Sequence, residues 1–125
     1  MLHKRMAETL AWIAMCVWAG SWSACTAPGK GEKAEAGYSR ARPVIAALQK
    51  YHDRRNEYPA GLRDLVPDDL AESAWKTPEG KSVGEFFEYR KSGASYRLLF
   101  SYTGPGMNKC AYTPEAAKWS CDGYQ

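Results

Sequence analysis

Two thiols and one histidine carry most of the chemistry this chain could offer. Cys110 and Cys121 stand near the C-terminus with ten residues between them. His52 is followed at once by Asp53, and Asp64, Asp68 and Asp69 come soon after. A thiol pair can be a disulfide, a redox couple or half of a zinc site. Redox couples use the two-residue Cys-x-x-Cys spacing, which is absent. A zinc site needs two further ligands, and the only histidines are His3 and His52. The pair therefore reads as a structural disulfide, provided the chain is exported to an oxidising compartment. His52 and Asp53 would point roughly 100° apart on a helix, so they do not form an acid-base pair. Asp68-Asp69, just after Pro67, reads as a solvated helix start. The sequence has no Gly-x-Ser-x-Gly elbow, phosphate loop, dinucleotide fingerprint or calcium loop. The expectation is a non-enzyme without metal or cofactor, with His52 half-buried at the edge of a helix.

Export itself is legible at the other end of the chain. His3, Lys4 and Arg5 make a basic start, and Leu10 to Ala19 is an unbroken apolar run of ten residues. Such a run is too short to cross a bilayer core of about 30 Å, but it suits the apolar region of a signal peptide. Ser23-Ala24-Cys25 then resembles the end of the lipobox of bacterial lipoproteins, with Trp22 where that family usually has an aliphatic residue. The resemblance implies cleavage after Ala24 and acylation of Cys25. A cut after Ala27 is the alternative. Thr26, rather than Asp, after the cysteine implies the outer membrane, facing the periplasm. One acyl chain holds a protein weakly and several hold it firmly, at about 0.8 kcal/mol per buried methylene. Cys16, inside the apolar run, is discarded with the signal.

The charge balance excludes one large class of partner. The formal net charge is +3, and removing Lys4, Arg5 and Glu8 with the signal leaves +2. Basic residues are interleaved with acidic ones, as in Asp53-Arg54-Arg55-Asn56-Glu57, so no nucleic-acid footprint is expected.

Positioning elements follow from composition and period. Thr26 to Gly37 lacks any aromatic or large aliphatic residue, so residues 25–37 are expected to be a flexible tether reaching about 20 Å. Residues 38–125 then form one small domain. Ala41, Val44, Ile45, Leu48, Tyr51 and His52 recur at helical spacing, with Ser39 as cap and Pro43 in the first turn. The helix should end before Tyr58-Pro59. Leu62, Leu65, Val66 and Leu70 predict short helical turns broken by Pro67. Phe87 and Tyr89, then Tyr96, Leu98, Phe100 and Tyr102, alternate with polar residues and predict antiparallel strands. Turns at residues 91–94 and 103–106 separate them, and two shorter strands surround Cys110 and Cys121. The fold class is α+β: one N-terminal helix on a small antiparallel meander.

The run Val44 to Tyr51, then Asn56-Glu57-Tyr58-Pro59, then Leu62-Arg63-Asp64-Leu65-Val66-Pro67, resembles the globular head of type IV pilins and type II secretion pseudopilins. Phe87-Glu88-Tyr89 and Tyr96-Arg97-Leu98 are similar to its first strands, and a C-terminal disulfide like Cys110–Cys121 recurs there. The likeness covers roughly Tyr38 to Tyr102. It implies a pilin-head-like domain but not filament building, because the lipoprotein signal and tether replace the long hydrophobic pilin helix. Function does not follow from fold.

The aromatic residues supply the last expectation. Tyr112, Trp119 and Tyr124 cluster near the disulfide, and exposed Tyr and Trp make good interface anchors. The sequence reading is therefore a membrane-anchored envelope lipoprotein, held to lipid through Cys25, that binds an envelope or secreted protein through these residues. A secretion accessory and an immunity-type protein both fit. The alternative is a small periplasmic hydrolase or carbohydrate-binding module.

Overall fold

A computed structural model of the chain describes residues 27–124. The signal segment 1–24, Cys25, Thr26 and Gln125 lie outside the described residues, as does the side chain of Tyr124. A 24-residue helix, α1 (Glu32–Arg55), is followed by two 3₁₀ turns, Leu62–Leu65 and Glu72–Ala74. A short helix α2 (Val83–Phe86) then leads into strands β1 (Glu88–Ser92), β2 (Ser95–Thr103), β3 (Met107–Thr113) and β4 (Lys118–Tyr124). The strands form one antiparallel sheet in the order β1-β2-β3-β4. The chain is thus α+β, with a helix on one face of a meander.

The expected tether is corrected from Glu32 onward. Helix α1 begins seven residues before Ser39, and Ala34 and Gly37 are buried. The physical reason is close approach rather than large apolar bulk. A Cβ on Gly37 would lie 2.2 Å from a ring carbon of Phe100, so only glycine lets the helix settle this near the sheet. Ala34, Gly37, Ala41, Val44 and Leu48 form one buried stripe of helical period, small at its N-terminal end and larger beyond. Glu32 and Glu35 complement the helix dipole in the first turn. Pro43 consequently sits in the helix interior, not the first turn. The other end is as expected: Asn56 adopts a left-handed conformation (φ 56°), and its N–H donates to the His52 carbonyl at 2.8 Å.

Just before the helix the chain is clamped. Gly29 has φ +82°, and its N–H donates to the Tyr102 hydroxyl at 2.8 Å. The Tyr38 hydroxyl donates to the Gly29 carbonyl at 2.8 Å. A Cβ at Gly29 would fall 2.8 Å from the Cys121 sulfur, so the backbone lies directly against the disulfide edge of the sheet.

Between helix and sheet lies the core. Val44, Leu48, Leu65 and Leu98 are fully buried and packed with Leu62, Leu70, Val83, Phe87, Tyr96 and Phe100. Each such Leu contributes about 1.5–3 kcal/mol. Helix α2 has its own start signal. The Ser82 hydroxyl accepts from the Glu85 N–H at 3.2 Å, and the Glu85 carboxylate accepts from the Ser82 N–H at 2.6 Å.

Candidate functional site

The face of a strand residue is fixed by parity and register. Tyr96, Leu98 and Phe100 on β2 face the helix and are buried, so Arg97, Leu99 and Ser101 face the other way. The register sets Arg90 opposite Arg97 and Glu88 opposite Leu99. On the other side of β2, Leu99 faces Ala111 and Ser101 faces Lys109. Strand β4 adds Lys118 opposite Thr113, Ser120 opposite Ala111 and Asp122 opposite Lys109. This outer sheet face carries four cations and two carboxylates.

Its centre is a concavity of 330 Å³ with Leu99 and Ala111 among its lining residues. Leu99 is only 5 % exposed although it points away from the helix, because long side chains stand around it. Glu88 pairs with Arg90, and its carboxylate lies 3.3 Å from the Lys109 ammonium. Arg90 first, then Lys109, holds the Glu88 carboxyl below the usual carboxylate range. Among the described residues Arg97 and Lys118 have no carboxylate within ion-pair distance. Placing Arg90 directly across from Arg97 works against sheet stability, since like charges opposite each other repel. The arrangement can bind anions over an apolar floor.

Sequence reasoning missed this face because the cations are scattered over residues 90–118. Only the register gathers them. A signal did exist in the alternation of β2, where Arg97 and Leu99 fall opposite to the core residues.

The structure places the aromatic candidates around the disulfide. Cys110 and Cys121 are bonded and directly opposite in register, with Cα atoms 4.1 Å apart. Tyr112 and Trp119 each lie two residues away and pair with each other, so they share the face of the disulfide, which is the helix face. Trp119 is half-buried, its ring centroid 5.1 Å from Phe100, 5.3 Å from Tyr38 and 5.4 Å from Tyr112. Tyr112 also stacks on Tyr96 at 6.4 Å. Both pack against the margin of the core and remain partly exposed. Tyr124 is placed by its backbone opposite Met107.

The candidate acid-base residues are dispersed. His52 stacks on the Tyr58 ring at 4.4 Å, half-buried at the end of the helix stripe. Asp53 accepts from the Gln49 amide at 2.8 Å. Asp64 accepts from the Gly61 N–H at 3.2 Å, and Asp69 pairs with Arg54 at 2.5 Å. Asp68 is exposed. These contacts are local and do not converge on one point. Among the described residues no group of three or more His, Cys, Asp or Glu side chains could hold a metal, and no helix is long and apolar enough to cross a membrane. No family model, curated protein or solved structure matches the chain.

Proposed function

We propose that this protein is a non-catalytic envelope lipoprotein, anchored to lipid at Cys25, that docks a protein partner on the outer face of its sheet. The observation that carries the reading is the concavity over Leu99, flanked by Arg97 and Lys118 without carboxylates of their own. Arg97 faces the like charge of Arg90 and, with Lys118, has no carboxylate partner among the described residues, and a site for an external anion accounts for that placement. The export signal and the Cys25 lipobox resemblance support the envelope location. The helix, Tyr-Pro turn and disulfide hairpin fit a pilin-head-like ancestry without its polymerising segment.

Two measurements test the reading. Cells fed a labelled fatty acid are expected to label the wild type and not Cys25→Ser; equal labelling would end the lipoprotein assignment. A photo-crosslinking residue at Ala111 or Ser120 should capture a discrete protein in living cells, whereas the same residue at Ser39, on the exposed side of α1, should not. Capture from Ser39 alone would move the docking surface to the helix.

A further inference from the structure

We infer that the element seated in the outer-face concavity is an acidic polypeptide segment, presenting carboxylates to Arg97 and Lys118 and an apolar side chain to Leu99. The inference rests on the docking proposal and names its partner chemistry. Arg97 lies on β2 and Lys118 on β4, two strand spacings apart, so the cations stand about 10 Å from each other across the sheet. An occupant with carboxylates at that separation satisfies both. The Arg97 guanidinium offers a planar fork that takes a carboxylate in bidentate fashion. Thr113 lies between the two cations, and the next row of the same face is the apolar floor, so the occupant gains most by burying a Leu-like side chain against Leu99 and Ala111.

Charge also gives the occupant a direction. Arg90, Arg97 and Lys118 share one end of the face, whereas at the other end Asp122 lies opposite Lys109, whose ammonium is already paired with Glu88. A carboxylate beside Asp122 would be repelled, so the acidic end of the segment belongs over Arg97.

Anionic lipid shares part of this chemistry but fits the geometry less well. Pro28 and Gly29 lie against Gly123 and Cys121, and Gly29 is only four residue steps along the chain from Cys25. That leash spans at most about 14 Å. Lys118 is five residues up β4 from Gly123, about 17 Å along the strand away from the clamp. Arg97 and Lys118 therefore occupy the end of the domain remote from the anchor, with Lys109 and Asp122 on the near side.

Full-length protein in detergent micelles, titrated with a peptide of alternating glutamate and leucine, tests the idea. Binding should weaken steeply with added salt, and the glutamine-leucine counterpart should not bind. The double variant Arg97→Glu/Lys118→Glu should lose about tenfold or more in affinity. Lys50→Glu, on exposed helix surface, should bind as wild type, and thermal melts should show both variants folded. Equal binding of the two peptides overturns the inference. So does a wild type that ignores the glutamate peptide yet binds phosphatidylglycerol vesicles through the same two cations, which would make the ligand a lipid. If the Ala111 crosslink captures a protein while the glutamate peptide fails, the acidic chemistry falls and the docking face stands. If no crosslink forms from that face, the docking reading falls first.

Discussion

At the residue scale, the decisive contact is between Gly37 and Phe100. Gly37→Ala places a methyl group well inside the van der Waals radius of the ring, so helix and sheet must move apart. Overpacking of this kind costs about 1–3 kcal/mol, and a chemical-denaturation curve should show the loss without a change of slope. A gain in stability, as expected for Gly→Ala in an exposed helix, would mean that the close approach is not real. The residue was in plain view in the sequence, yet its role was not. A glycine in a Lys/Glu-rich stretch reads as a tether when a core face is sought among large side chains. Trp119 shows a second limit: its type suggested an anchor, but a strand residue's face depends on a pairing that no local pattern displays.

Tyrosines give a second residue-scale prediction. Burial first, then neighbouring phenols, raises the ionisation of Tyr89 and Tyr96 far above the ordinary value near 10. Tyr89 also donates to the Pro59 carbonyl at 2.7 Å. A raised folded-state value means their contribution is intact below the unfolded value of about 10 and is lost as the pH climbs above it. Tyrosinate absorbance should therefore rise in two stages, the less shielded tyrosines first and Tyr89 and Tyr96 only with unfolding. A single smooth titration with retained helicity would contradict their burial.

At the element scale, the β3–β4 hairpin depends on its covalent rung. Cys110 and Cys121 close an 11-residue separation, and Cys110→Ser should cost on the order of 2–4 kcal/mol. Alkylation without reductant, followed by intact mass, should find the wild type unmodified at both thiols. Two accessible thiols in folded protein would refute the bridge. Most elements were legible beforehand. The helix end at Asn56, the turns around Leu62–Leu65 and the alternation of β2 all follow from local rules. What escaped were the start of α1, whose buried stripe is made of small residues, and α2, although Ser82-Val83-Gly84-Glu85 spells a capping box. Strands β3 and β4, expected around the two cysteines as shorter strands, have seven residues each against nine in β2.

At the scale of the whole molecule, the two faces of the sheet divide the work. The inner face holds the helix and the aromatic margin, and the outer face gathers cations from all four strands. The layout of layers could be read from periodicity, since each layer has a buried stripe. The charged outer face could not, because it is assembled by register from residues far apart in the chain.

The Gly29 clamp also bears on how such a domain would carry load. On the proposed anchoring of Cys25 and docking of a partner, tension between the two would enter the described fold near Gly29. There the backbone is bonded to Tyr102 of the sheet and Tyr38 of the helix. The pull is divided between both layers at once, so helix and sheet resist in shear instead of one strand peeling from an edge. The disulfide beneath the same glycine prevents the last hairpin from unzipping at the point of attachment. A fold attached this way is built to stay closed while something tugs on it.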